Sequence, residues 1–167
     1  MSRVRLDLNI SIDGFATTTD QTPENPFGED WGRLTRDYTA TRTFRERVLH
    51  DDTGAGTTGI DDAYAQRYFA DLGAEIMGAG MFGLHEHGDD PQWRGWWGDE
   101  PPRIGGGGTT ARSFLDAGLV DDLHVAVVPI VLGRGIRLWD DLRGLENGYE
   151  VRAEAAESGV THLTFRR

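Results

Sequence analysis

Between positions 4 and 12 apolar and polar residues alternate, with Val4, Leu6, Leu8, Ile10 and Ile12 on one side and Arg5, Asp7, Asn9 and Ser11 on the other. That period of two predicts a strand, and Asp13-Gly14 behind it predicts a turn. Residues 17–30 are polar and rich in Thr, Pro and Asp, which reads as a loop. Helical spacing resumes over 31–49, with Leu34, Tyr38, Phe44, Val48 and Leu49 as the expected buried set. A glycine-threonine loop, 51–59, follows. Asp61 or Asp62 is then placed to cap a helix from Ala63 to Leu72, which carries Tyr64, Arg67, Tyr68 and Phe69 and is stopped by Gly73.

Ala74 to Met77 predicts a short strand running into Gly78-Ala79-Gly80-Met81-Phe82-Gly83. Residues 85–102 read as a polar and aromatic surface loop containing Trp93, Trp96 and Trp97. Next come Ile104 and four glycines, Thr109 as a helix cap, a helix over Ala111–Ala117, and Gly118 as its stop. The run 122–131 is nearly all apolar, as in a strand covered on both faces. Tyr149–Ala156 and Val160–Phe165, joined by Glu157-Ser158-Gly159, predict a closing hairpin. Strands alternating with helices indicate an α/β domain. Its sheet is expected to be mixed and mostly parallel, flanked by helices, with the antiparallel hairpin at the C-terminal end. One domain accounts for all 167 residues, and no internal repeat is visible.

Composition narrows the chemistry. With 38% hydrophobic and 27% charged residues, the chain has the balance of a folded soluble domain. A net charge of −11 disfavours nucleic acid and anionic membrane surfaces, because both need Lys and Arg to replace counterions. It does not disfavour a phosphorylated cofactor held by backbone N–H groups. The absence of cysteine removes disulfides, thiolate nucleophiles and Cys-ligated zinc, including the zinc site of nucleobase deaminases. Charged and apolar residues alternate from Met1 to Asp7, and no apolar run approaches ~18 residues. Neither a signal peptide nor a membrane span is therefore expected, and a cytoplasmic location follows.

Gly105-Gly106-Gly107-Gly108-Thr109-Thr110 is the main candidate for a ligand site. Successive amides at a helix start donate to an anion without any charged side chain being desolvated, and glycine lets the anion approach. The competing reading is a flexible turn without a ligand. Gly78-Ala79-Gly80, also expected at a strand end, is either an ordinary tight turn or the second wall of a crevice at the sheet edge. Asp13 can orient a substrate or relay a proton, or it can bond its own turn. His85-Glu86-His87-Gly88-Asp89-Asp90 has metal-binding residue types in no established zinc spacing and reads as a solvated loop, so no metal is expected. The three tryptophans read as packing over a sheet edge or a dimer contact, with a binding platform or a lid as alternatives.

Several segments together resemble a known family. Ser11-Ile12-Asp13-Gly14-Phe15-Ala16, Thr58-Gly59-Ile60-Asp61-Asp62-Ala63, Ile76–Gly83, Trp96–Pro102, Ile104–Thr109, Gly118–His124, Pro129 and Leu132-Gly133-Arg134-Gly135 are similar, in order and over nearly the whole chain, to motifs of the dihydrofolate-reductase-like superfamily, in its riboflavin-biosynthesis reductase branch. The resemblance implies a homodimeric NADPH-dependent reductase of a small heterocycle. The substrate would be pteridine- or aminopyrimidine-like, in the manner of 5-amino-6-(5-phosphoribosylamino)uracil reductase. By position it implies that Gly105, Gly106, Gly107, Gly108, Thr109 and Thr110 hold the pyrophosphate, and that Ala16 meets the nicotinamide amide through its backbone. Gly78, Ala79, Gly80 and Met81 would lie by the adenosine ribose. Asp13, the catalytic candidate, and Trp31 would face the substrate. A non-catalytic nucleotide-binding or dimerisation domain of the same fold is the alternative, and a metal-dependent hydrolase a distant one.

Two departures from the family qualify that picture. A basic residue suited to the NADPH 2′-phosphate is usual after the glycine matched by Gly78, and Ala79 and Gly80 stand there instead, so NADH also fits. The glycine run is preceded by Asp99-Glu100-Pro101-Pro102-Arg103-Ile104, whose adjacent prolines cannot sit in a central strand. Relatives carry at least a βαβ unit there, about 30 residues. A segment missing between Pro102 and Arg103, either omitted from the sequence or truly deleted, is the expectation. An intact mass near 18.5 kDa would exclude omission.

Overall fold

The computed structural model describes residues 3–17, 19, 22, 25, 27–71, 73–76, 78, 87–93 and 107–167. Its strands are β1 (Arg5–Ser11), β2 (Phe15–Thr17), β3 (Asp122–Val128), β4 (Ile136–Arg137), β5 (Glu150–Ala155) and β6 (Thr161–Arg166). Its helices are α1 (Trp31–Thr39), α2 (Arg42–Arg47), α3 (Ile60–Phe69) and α4 (Gly108–Asp116). The main sheet has the order β1-β3-β6-β5, and β2 and β4 form a separate antiparallel ribbon. Within the main sheet β1 and β3 are parallel, while β6 runs antiparallel to both its neighbours. The protein is thus an α/β domain with a mixed sheet, flanking helices and a closing hairpin, as the pattern of the chain predicts, although among the described residues one of the three pairings in the main sheet is parallel rather than most of them.

Alternation along β1 sorts the two faces. Leu6, Leu8 and Ile10 join Leu123, Val125, Leu138 and Phe165 in a core closed by Ala111 and Leu115 of α4. Asp7, Asn9 and Ser11 point the other way, towards α1 and α3, and Asn9 donates from its amide to the Leu34 carbonyl at 3.2 Å. His124, His162 and Thr164 lie buried on that second face, so the sheet is apolar on one side and polar on the other. Helix α4 ends as predicted at Gly118 (φ +66°): its N–H bonds to Leu115 O and that of Leu119 to Phe114 O, a Schellman termination.

Several boundaries differ from those the pattern predicts. The stretch 31–49 is two helices, because Thr41 is extended and its Oγ1 accepts the Phe44 N–H, starting α2 afresh. The Thr57 strand segment fixes that break, with Arg42 N–H donating to Thr57 O at 2.9 Å and Thr57 N–H to Ala40 O at 2.8 Å. Leu34 and Phe44 are buried as expected, whereas Leu49 lies beyond α2 and is 56% exposed. Gly59, not Asp61 or Asp62, occupies the cap position of α3, and both aspartates stand in its first turn, where they meet the positive helix end. Asp62 is drawn inward to accept the Thr43 N–H at 2.8 Å. Thr109 likewise lies inside α4, behind a Gly107 cap with no side-chain bond. Residues 73–76 take no strand pairing among the described residues. Met77, Trp96, Trp97 and the Pro102–Arg103 junction lie outside them.

Candidate functional site at the start of helix α4

Parallel strands bring their C-terminal ends to one edge, so the loops after β1 and β3 meet there. They are stitched together at several points. Ile12 N–H donates to Ile130 O (3.0 Å), and the Asp13 carboxylate accepts the N–H groups of Leu132 (3.1 Å) and Gly133 (2.7 Å). Gly14, at φ +89°, turns the chain into β2, and the fully buried Ser11 hydroxyl accepts the Phe15 N–H at 3.0 Å. Partial burial would raise the Asp13 pKa, but bonds from the Ser11 hydroxyl and from the Gly133 and Leu132 amides outweigh it and hold the carboxyl down at about 2. At neutral pH Asp13 is a carboxylate committed to the neighbouring loop. Besides the Leu132 and Gly133 amides, the carboxylate is bonded by the Ser11 hydroxyl and by its own backbone N–H.

Against this edge stands the start of α4. A side-chain carbon at Gly108 would lie 3.1 Å from Ala16 Cβ and 3.4 Å from Ile136 Cγ2, so glycine lets the helix rest closely on the β2–β4 ribbon and a larger residue would push on both. A side-chain carbon at Gly78 would come within 2.7 Å of Thr110 Oγ1. Ala16, Gly78, Gly108 and Thr110, scattered in sequence, are therefore neighbours in space. Gly107 differs from them: it is extended (φ −89°, ψ 161°), and a side chain there would meet nothing within 4 Å among the described residues. The first intrahelical bond is Ala111 N–H to Gly107 O, at 3.0 Å. Ahead of it, the N–H groups of Gly108, Thr109 and Thr110 have no acceptor among the described residues. Open amides at the positive end of a helix, with space in front of the cap, suit an anion.

Trp31 opens α1 and packs on Phe27, ring centroids 4.8 Å apart. Its helix is tied to the same edge, because Arg134 reaches Glu29 (3.0 Å) and Asp30 (3.7 Å) while Arg33 binds Asp30 at 2.6 Å. Gly105, Gly106, Ala79, Gly80 and Met81 lie outside the described residues. From the His85–Asp90 loop, His87 stacks on Trp93 at 3.8 Å. Ile136 was not anticipated as a site residue. Its signal in the sequence is weak, an isolated apolar position after Gly133-Arg134-Gly135.

Residues 98–162 match the family model described as the RibD C-terminal domain. Over those residues the match agrees with the resemblance to the riboflavin-biosynthesis branch. The matched stretch holds the glycine run, α4, β3 and the hairpin into β6. Among solved structures the chain is similar to a protein named for riboflavin biosynthesis from Shewanella sp. PV-4, with 18% identity, 99% of each chain covered and a TM-score of 0.43. It is also similar to a pyrimidine reductase-like protein from Corynebacterium diphtheriae, with 14% identity, 98% of this chain and 91% of that one covered, and a TM-score of 0.38. No curated protein matches. Among the described residues no helix is long and apolar enough to cross a membrane.

Proposed function

We propose that the chain is an NAD(P)H-dependent reductase of a small pteridine- or aminopyrimidine-like heterocycle, related in activity to 5-amino-6-(5-phosphoribosylamino)uracil reductase. The observation that carries this reading is the meeting of Ala16, Gly78, Gly108 and Thr110 at an open helix start, on the edge where the parallel strands end. The amides of Gly108, Thr109 and Thr110 would hold the dinucleotide pyrophosphate, with Gly105, Gly106 and Gly107 as the turn leading in. Ala16, in contact distance of Gly108, would offer its backbone to the nicotinamide amide, and Gly78 through Met81 would border the adenosine ribose. The dinucleotide supplies the hydride, and the protein supplies orientation and a dry setting. With its carboxyl near 2, Asp13 serves as a positioning residue that fixes loop 130–133 beside Trp31, where the heterocycle would lie. The proton that accompanies the hydride then comes from another donor.

That commitment of Asp13 also supports a second reading, a nucleotide-binding or dimerisation domain without turnover. Isothermal titration with NADPH, followed by loss of nicotinamide absorbance in the presence of pterins and aminopyrimidines, separates the two. Binding with turnover supports the reductase, binding alone supports a nucleotide-binding domain, and no binding removes both of these and leaves a dimerisation domain. A homodimer and a cytoplasmic location remain part of the proposal. Sedimentation checks the first.

A further inference from the structure

The polar face of the sheet buries a row of ionisable groups that the proposed reaction does not use. His124 Nδ1 lies 3.0 Å from Asp7 Oδ1, His124 Nε2 lies 2.9 Å from His162 Nδ1, and His162 Nε2 lies 2.8 Å from Asp61 Oδ1. The row crosses β1, β3 and β6 and ends on α3. Side-chain exposure of these four residues is 12%, 8%, 5% and 15% in chain-of-bonds order, so little water reaches them. Tyr64 lies parallel over both imidazoles, at 4.4 and 4.1 Å, and holds their planes. The gap of 2.9 Å between ring nitrogens is too short for a shared metal, which would set them about 3.3 Å apart or more.

Counting protons constrains the row. Ionised carboxylates only accept, so His124 Nδ1 and His162 Nε2 must each carry a proton. If both rings were neutral, His124 Nε2 and His162 Nδ1 would face each other as bare lone pairs across 2.9 Å. A third proton turns that clash into a hydrogen bond and makes one ring an imidazolium. A fourth would oppose two N–H groups. Charge agrees, because Arg5 Nε sits 3.2 Å from Asp7 Oδ2. With three ring protons, Arg5, Asp7, the histidine pair and Asp61 sum to zero.

Charged groups also surround the row. Arg3, Arg67 of α3 and Arg166 of β6 turn to Asp122, at 3.3, 3.7 and 3.4 Å, and Glu154 of β5 accepts from the Tyr64 hydroxyl at 3.2 Å. Tyr38 of α1 is kept protonated by burial and by the charges of Asp7 and Glu75. Burial pushes His162 below its ordinary pKa, opposed by the bond to Asp61, so the shared proton rests on the contacts with the two carboxylates rather than on His162 alone.

We infer that His124 and His162 together hold one imidazolium proton at neutral pH, and that this proton completes the row of bonds joining β1, β3, β6 and α3. Removing it leaves two ring protons for three contacts, so the bond to Asp7, the bond between the rings or the bond to Asp61 is lost. Adding another drives the rings apart. The row therefore weakens on both the alkaline and the acid side.

The test uses the full chain with His50, His85 and His87 changed to Asn, labelled with ¹⁵N-histidine. Ring nitrogens at neutral pH should sum to three N–H and one bare nitrogen. Two bare nitrogens overturn the proposal. Asp61→Asn supplies an independent readout, since its amide can donate to His162 Nε2 and complete the row with both rings neutral. Wild-type Tm should fall as pH rises above neutrality, while that of Asp61→Asn stays flat. Parallel curves would contradict the assignment.

Discussion

Gly107→Asp separates stability from binding at the proposed site. Gly107 is the cap residue of α4, is already extended, and has no described residue within 4 Å of where a side-chain carbon would go, so the aspartate fits that backbone. Its carboxylate can accept the Thr109 or Thr110 N–H and face the positive helix end. Relative to glycine a capping aspartate is worth a few tenths of a kcal/mol, and the helix dipole adds about 0.3–1 kcal/mol. Together these raise Tm by roughly 1–4 °C for a chain of this size. The same carboxylate occupies the proposed pyrophosphate position. A like charge at about 4 Å costs on the order of 4 kcal/mol near a protein surface, which is about a thousandfold in affinity, before the lost amide bonds are counted. Differential scanning fluorimetry and isothermal titration with NADPH read the two effects on one sample. A variant that melts higher but binds NADPH as tightly as wild type would refute the placement of the anion.

Three further outcomes are expected. Gly108→Val, pressed against Ala16 and Ile136, should lower stability by about 1–3 kcal/mol and weaken dinucleotide binding with it, as thermal melts and titration would show. Asp13→Asn should lower Tm by a few degrees, about 1 kcal/mol, by removing the carboxylate that accepts two amides. Because the folded pKa of Asp13 is depressed from 3.8 to about 2, its contribution is present above the unfolded value and lost as pH falls between those two values, so the variant should flatten that part of the acid limb. Lacking a basic residue at 79 and 80, the chain should bind NADPH and NADH within about tenfold of each other, and placing Arg at Ala79 should favour NADPH through a charge-assisted bond to the 2′-phosphate.

The parts of the fold that follow from simple periodicity were legible. The alternation of Val4 to Ile12 gives β1 and its faces, the apolar run after Asp122 gives the central β3, and Gly159 within its polar turn gives the closing hairpin. The break between α1 and α2 was less visible. It depends on Thr41 bonding forward to Phe44 and on a bridge to Thr57, a contact 16 residues away that no local window shows. The site was half legible. Glycine composition marked residues 105–108 as the approach to a helix, with Thr109 expected as its cap, but the close contact of Gly108 with Ala16 and Ile136 is revealed only by the tertiary fold. The histidine row was missed, because His124 and His162 sit singly in strands, 38 residues apart, and become a pair only through the β3–β6 register.

The central claim is that the amides opening α4 hold the dinucleotide pyrophosphate. Titrating ¹⁵N-labelled protein with NADPH tests it residue by residue. The account predicts saturable shifts concentrated at the backbone amides of Gly107, Gly108, Thr109 and Thr110, with a second group at Ala16 and Gly78. Shifts that leave those amides unmoved, and gather for instance in the groove between α2 and α3 lined by Arg42, Arg47 and Gln66, would contradict it.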